Sequence, residues 1–435
     1  MADAYASWGL YPTLPQRAVA LSWRDQGWPA VAGEVLPRGN GRSYGDSCLS
    51  NGGTLIDARG LDRLIAFDAS TGRLACEAGV LLGDILELTV PKGWFLPVTP
   101  GTRLVTVGGA IANDVHGKNH HRRGNFGNHV LKLELLRSDG RRLLCGPDLE
   151  PDWFRATVGG LGLTGLVTWA ELQFIPVQGP WLDVETLRFS DLDAFFAIAA
   201  ESDRSHDYTV AWIDCLARGR RLGRGLFMRA NHAPTPGGKR EAPRAARRIP
   251  FTPPISPVNA LTLRAFNELY YRLPRPRQSL QHYLTYFYPL DSLLDWNRLY
   301  GPRGFVQYQC VVPPAAAPAA IREILNLIAA AGRGSFLSVL KMFGAMPSLG
   351  LLSFPRPGAT LALDFPFHGE ATLALLDRLD RVVMDAGGGV YPAKDARMSG
   401  EVFRRTFPDW HKLESMRDPQ VMSAFWRRVT HDTPR

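Results

Sequence analysis

The sequence predicts a two-domain α+β protein, and three observations carry that expectation. Apolar residues (AVILMFWYC) make up 45% of the chain and charged residues 21%, the balance of a chain that buries a core. Its 435 residues exceed what one core usually organises. The texture also changes near residue 180. Before it, short strands alternate with glycine-rich turns; after it, helices alternate with longer apolar strands. The second part therefore reads as an antiparallel sheet backed by helices.

The first part begins with "GGTLIDARGLDRLIAFDASTGRLACEAGV", which reads as a strand, a turn and a hairpin closed by "DASTG". "LLGDILELTVPKG" has helical periodicity and a Pro/Gly stop. "HVLKLELLRSDGRRLLCG" is a hairpin turned by Asp139-Gly140, and "LVTWAELQFIPV" alternates as a closing strand. In the second part, "FSDLDAFFAIAAESD" and "AAIREILNLIAAAG" predict helices. "HDYTVAWIDCLA", "GFVQYQCVVP" and "ATLALDFPF" predict strands. A Pro- and Arg-rich stretch at 243–257 reads as a mobile linker.

Composition excludes several function classes. Five scattered cysteines (Cys48, Cys76, Cys145, Cys215, Cys310) form no CxxC pair and read as small buried hydrophobes. The N-terminus lacks a signal-peptide pattern, and no run approaches a membrane span. The expected location is cytoplasmic, peripheral to the inner face of a membrane. A net charge of +9 favours anionic partners, and residues 218–248 read as a basic loop, with ten Lys/Arg against Glu241 alone. With few aromatics interleaved, that segment suits an anionic membrane surface and not nucleic acid.

Residues 112–130, "ANDVHGKNHHRRGNFGNHV", hold four of the ten histidines. His116 and His120 have the spacing of zinc ligands on a helix. Gly117, Gly124 and Gly127 break such a helix, and Lys118, Arg122 and Arg123 repel a dication. No metal site is expected; His120, His121 and His129 read as structural. Glycine clusters at 37–46, 100–114 and 158–165 carry more information. They let main-chain N–H groups approach a diphosphate, yet none fits the Rossmann or P-loop pattern.

Seven stretches, "GRSYGD", "PGTRLVTVGGAIANDVHGKNHHRRGNFGNHV", "ATVGGLGLTG", "AWIDC", "DWNRLYGPRGFVQYQ", "FLSVLKMFG" and "YPAKDAR", resemble FAD-linked oxidases of the vanillyl-alcohol-oxidase and p-cresol-methylhydroxylase type. Within these the likeness is to the branch acting on a polyprenyl-phosphate-linked ribose. The resemblance implies an FAD-binding domain over 1–178, a substrate domain over 179–388 and a segment, 389–435, returning to the first. It implies oxidation of a pentose 2′-hydroxyl to a 2-keto sugar by hydride transfer to flavin N5, completed as an epimerisation by a short-chain dehydrogenase/reductase partner. Related oxidases often attach flavin through a histidine where this chain has Arg42, so FAD is expected to be non-covalent.

By the same resemblance, Arg38, Gly39, Asn40, Gly41, Arg42, Ser43 and Tyr44 would hold FAD with Pro100, Gly101, Thr102, Thr106, Val107, Gly108 and Gly109. The 100–109 segment would do so through its main-chain N–H groups. Asn113, His116, Gly117 and Tyr391 would lie beside the flavin ring, and Gly165 and Val167 toward the adenosine half. Lys394 and His116 would be catalytic, the first stabilising negative charge on the flavin. Lys118, Trp212, Gln307, Gln309, Lys341, Thr360 and Ala362 would face substrate: cations for phosphate, amides for hydroxyls, an indole for stacking. Lys341 also stands out unaided, because a lysine inside an apolar strand needs a reason. Thr360 and Ala362 replace an asparagine and a cysteine of the mycobacterial-type enzymes, so an electrophile aimed at that thiol should fail. The base is open among His116, Lys394 and solvent. Two other readings compete: an aldonolactone or free-sugar oxidase of the same fold, and a non-catalytic basic binder of membrane or nucleic acid.

Overall fold

The computed structural model describes residues 5–235, 246–273 and 277–431. Alternation of apolar and polar residues builds a five-stranded antiparallel sheet from Leu64–Asp68, Arg73–Glu77, Leu166–Gln173, Val130–Leu136 and Arg142–Cys145, in that spatial order. Helix Leu82–Thr89 buries Leu82, Ile85 and Leu86 in the same core. Beside it lies a parallel sheet in the order Arg17–Ala20, Thr54–Asp57, Val35–Arg38. The α+β class is as expected, and so are the two hairpins.

The second large sheet has eight strands. Its centre runs Tyr208–Ile213, Ser338–Phe343, Gly358–Pro366, Phe305–Val312, all antiparallel. Each of these strands is apolar on one face. Leu340, Leu361, Leu363 and Cys310 pack in the core that also takes Ile321, Ile324 and Ile328 of helix Ala317–Ala331 and Leu375, Leu376 and Leu379 of helix Glu370–Asp385. The period of two sends Trp212, Val339, Lys341, Thr360, Ala362, Asp364, Gln307 and Gln309 to the opposite face. That face is one wall of the site.

The C-terminal segment returns to the N-terminal sheet. Val35 N donates to Gln420 O at 2.8 Å and Met422 N to Val35 O at 3.0 Å. Arg428 pairs with Asp46 at 2.8 Å and with Asp395 at 3.1 Å. These contacts hold the Lys394 turn against the loop that follows the strand Val35–Arg38.

Two expectations need correction. The segment 218–248 is not one basic loop: Gly225–Ala233 is a strand of the large sheet, paired on both edges. Two of its arginines are neutralised by acids, Arg224 by Asp214 and Glu268, Arg229 by Glu185 and Glu201. Residues 236–245 lie outside the described residues. The linker expected at 243–257 is tied down where it is described. Arg247–Arg248 pairs in parallel with Leu293–Leu294, and Ile249 N donates to Leu294 O at 3.0 Å. All five cysteines are free, four of them buried. Among the described residues no helix is long and apolar enough to cross a membrane.

Candidate active site

A cavity of about 680 Å³ lies between the two sheets and runs along the glycine-rich loops. Every expected site residue lines it except Val107. The cavity has two chemically different ends.

At one end the walls are main chain. Residues 38–44, 100–102, Thr106, Gly108, Gly109, Asn113, Gly165 and Val167 line it. Among the described residues, the N–H groups of residues 39–43 have no acceptor, whereas Tyr44 N is tied to Ala393 O at 3.0 Å. Arg38 Nε, Arg42 Nε and Ser47 Oγ are buried and unpartnered. Such unused donors around one cavity fit an oxygen-rich anion such as a dinucleotide diphosphate. The loop is held in place by side chains: Asn40 Nδ2 donates to Leu104 O at 2.8 Å, and Arg42 stacks on Trp8 at 4.1 Å. Gly39 is needed by close approach, since a Cβ there would sit 2.3 Å from Thr106 Oγ1.

The 100–109 segment grips less than expected. Val107 N donates to Val80 O at 2.9 Å, Gly108 N to Ala78 O at 2.8 Å and Gly109 N to Thr106 Oγ1 at 3.1 Å. Those amides are spent inside the fold. Thr106 caps the helix Val107–Ala112, and that helix turns Val107 into the core, wholly buried. Thr106, Gly108 and Gly109 still shape the wall, but through surface and not free N–H groups.

At the other end the walls are side chains. The 112–130 stretch is locked by Asp114, a non-glycine residue at φ 39°, which accepts from Gly127 N (2.8 Å), Asn125 Nδ2 (2.9 Å) and Ser353 Oγ (2.5 Å). His116 then bridges to Asn125 in extended conformation, so it shares no helix face with His120. His120, His121 and His129 bond main chain: His120 Nδ1 accepts from Gly344 N, His121 Nε2 meets His206 O and His129 Nε2 meets Arg123 O. Gly117 is the second required glycine, because a Cβ would lie 2.8 Å from Asn119 Oδ1 and 3.0 Å from Thr99 O.

His116 sits among four functional groups. Its Nδ1 lies 3.0 Å from Lys341 Nζ and its Nε2 lies 2.9 Å from Gln309 Nε2. Lys341 also donates to Gly117 O at 2.9 Å, and Gln309 donates to Thr360 Oγ1 at 3.1 Å. A neutral imidazole has one N–H, so it cannot accept from both neighbours. Either Gln309 presents its carbonyl to Nε2–H, or Lys341 is neutral and accepts from Nδ1–H. Withdrawal from water pushes His116 well below its usual range, with Lys341 adding to the effect. Burial likewise pushes Lys341 down to about 7, helped by Lys118 and Lys394.

Lys118 reaches the main-chain oxygen of Tyr286 and lies 4.2 Å from that ring; burial lowers it to about 7. Lys394, on the turn Pro392–Lys394, stands 3.8 Å from the Tyr44 ring. Burial lowers its pKa, and nearby Asp364 opposes the shift. Tyr391 donates to Asn113 O at 2.9 Å and stacks on Phe354 at 4.5 Å. Gln307 donates to Asp364 Oδ1 at 2.5 Å. Trp212 lines the cavity, but its Nε1 donates to Phe336 O at 2.9 Å and its ring packs edge-on to Tyr270 at 4.7 Å. It is a wall first.

Asp364 is the residue that sequence reasoning missed. It is wholly buried, opposite Gln307 in register, with Tyr300 OH at 3.4 Å. Burial raises its pKa, while Gln307 and Lys394 act the other way. An acid inside "ATLALDFPF" demands a reason as much as the lysine of "VLKMFG" does.

A family model described as an FAD binding domain matches residues 30–146. The chain is 38% identical over 406 residues to decaprenylphosphoryl-β-D-ribose oxidase of Mycolicibacterium smegmatis, covering 90% of this chain and 87% of that protein. It is 37% identical to an uncharacterized protein of Streptomyces coelicolor over 78% of this chain and 96% of that one. Cytokinin dehydrogenase 2 of Arabidopsis thaliana matches at 31%, over 37% of this chain and 32% of its own.

Proposed function

Because this chain belongs to the decaprenylphosphoryl-β-D-ribose oxidase family of FAD-dependent oxidoreductases, we propose that its substrate is a polyprenyl-phosphate-linked pentose, oxidised at the 2′-hydroxyl to a 2-keto sugar. One observation supports this reading above the others. Lys341 meets His116, which Gln309 and Thr360 join, and Lys118 lines the same cavity. Cations suit a phosphate and amides suit a sugar; a neutral lactone would leave the cations without a purpose.

In this reading FAD would be held non-covalently by the 38–44 turn, residues 100–102, Asn113, Gly165, Val167 and Tyr391, and would supply the acceptor for the C2′ hydride. The chain supplies the rest. Gln309 and Thr360 orient the hydroxyls. His116, which burial holds unprotonated beside Lys341 Nζ, takes the hydroxyl proton. Lys394 and Asp364 set the charge beside the Tyr44 loop. Residues 1–178 with 389–435 serve as the FAD-binding domain and 179–388 as the substrate domain. The 2-keto product passes to a reductase of the short-chain type, completing an epimerisation, and the enzyme works at a membrane surface.

Anaerobic bleaching of the flavin absorbance tests the substrate. Prenyl-phosphate pentoses should bleach it and aldonolactones should not. Bleaching by lactones alone would overturn the reading in favour of a free-sugar oxidase.

A further inference from the structure

Six large apolar side chains stand in solvent between residues 251 and 273: Phe251, Ile255, Leu261, Phe266, Leu269 and Leu273. The helix Ala260–Arg272 carries three of them, Leu261, Phe266 and Leu269. Its inner face is accounted for, with Leu263 and Asn267 buried and Asn267 bonded to Asp214 at 2.8 Å. Its outer face should then be polar. Instead Leu261, Ala265 and Leu269 follow at intervals of four, continued by Leu273, and form one exposed apolar stripe. Leu261 is 78% and Leu269 62% exposed. Such a face calls for a partner.

The stripe is framed by cations. Arg247, Arg248, Arg264, Arg272 and Arg277 are exposed around it; Arg248 pairs with Asp295 and Arg277 with Glu185, so among the described residues Arg247 and Arg264 carry the uncompensated charge. Among the described residues of 246–277, Glu268 is the one acid, and Arg224 and Arg272 already hold it. The face also adjoins the cavity. Tyr270 lines the cavity and stacks on Phe266 at 5.4 Å, while Arg248, Leu293 and Leu294 form the neighbouring rim.

We infer that the 247–273 face is a docking surface for an anionic lipid bilayer, with helix Ala260–Arg272 lying along the interface and the cavity opening toward the lipid. An apolar stripe with flanking arginines is what an interfacial helix needs, the stripe entering the acyl boundary while the cations meet headgroups. A second copy of the chain fits worse, because a two-fold contact would set one cation frame against another. The placement beside the cavity rests on the lipid-linked substrate proposed above, since it gives a polyprenyl chain a path that stays in apolar surroundings.

Flotation of the FAD-loaded protein with vesicles tests the surface without any turnover. Vesicles of phosphatidylcholine mixed with phosphatidylglycerol should carry it, and high salt should release it. Leu261→Asp with Leu269→Asp should weaken flotation at least ~10-fold, and Arg247→Glu with Arg264→Glu should abolish the preference for anionic vesicles. Both variants should keep wild-type flavin content and should bleach normally with a short-chain substrate. Failure of the wild type to float, or equal flotation of the leucine variant, would overturn the inference. So would a dimer in ultracentrifugation that the leucine variant dissolves. If flotation behaves as expected while no prenyl-phosphate pentose bleaches the flavin, the surface stands and the substrate reading falls.

Discussion

The two parts of one cavity offer a ligand different chemistry. The 38–44 end offers main-chain N–H groups, which carry partial charge that does not titrate. The group of His116, Lys118, Lys341 and Lys394, the last reaching back to the Tyr44 ring, offers ionisable side chains, each pulled from its usual pKa by burial. A cofactor that stays bound is served by groups indifferent to pH. A reacting substrate needs groups that gain or lose a proton near neutrality, and a site that can hold those is a strained one.

The contrast breaks most clearly on Lys394. Lys394→Ala should slow anaerobic flavin bleaching by roughly 10²–10⁴ while FAD content and its visible spectrum stay near wild type. Loss of FAD together with activity would place Lys394 in the cofactor grip instead. The converse variant is Gly39→Ala, whose Cβ would meet Thr106 Oγ1. That loop should open, and the protein should purify with little flavin yet remain folded by circular dichroism. A yellow Gly39→Ala protein would show that the turn does not carry the diphosphate. Acid precipitation of the wild type should leave a colourless pellet, as Arg42 cannot form a flavin bond.

These two ends were unequally legible in the sequence. The glycine-rich end could be read because close backbone approach demands glycine, and glycine is visible as a letter. His116, Lys118 and Lys341 could be read because cations and imidazoles crowd a short turn or interrupt an apolar strand. Asp364 carried the same signal and was missed, since "ATLALDFPF" reads simply as an apolar strand. Val107 was misplaced because the cap at Thr106 rotates the chain by a helical step that a run of small residues does not announce. The charge of 218–248 misled for a different reason. Asp214, Glu268, Glu185 and Glu201 cancel Arg224 and Arg229 across the sheet, and a local charge count cannot see pairs formed by folding. Helix Ala260–Arg272 escaped notice behind a proline-rich approach, and its exposed leucines blur the amphipathic pattern.

The strained end should cost stability in a way that pH reveals. Lys118 falls from 10.5 in the unfolded chain to about 7 in the fold. Between those values the unfolded state binds more protons, so stability from this group rises with pH across that window and is lowest below 7. Lys118→Met removes the penalty. The variant should melt a few degrees higher than wild type near pH 7 in the absence of substrate, with the gain shrinking toward pH 10. Its KM for a prenyl-phosphate pentose should rise by roughly 10-fold or more, as expected for a lost charge-assisted bond. A lower melting temperature near neutrality would mean that the bond to Tyr286 O outweighs the buried charge, and the contrast between the two ends would lose its thermodynamic side.

The smallest effect is the sharpest test of how the charged end is tuned. Asp364 touches neither His116 nor Lys341; its partners are Gln307, Tyr300 and the field of Lys394. Burial favours neutral forms of both Asp364 and Lys394, and each ionised partner pulls the other back toward charge. If Lys394 acts as a cation, bleaching should fail on the alkaline side, as its proton is lost. Asp364→Asn keeps the shape and the bond from Gln307 but deletes the counter-charge. Lys394 should then lose its proton at lower pH, and the alkaline limb of the bleaching rate should move to the acid side. FAD content and the acid limb set by His116 and Lys341 should change little. Thr360→Val, which removes a hydroxyl bonded to Gln309, should instead lower the rate without moving either limb. An unmoved alkaline limb in Asp364→Asn would separate the carboxylate from Lys394 and leave it as a support for Gln307 alone.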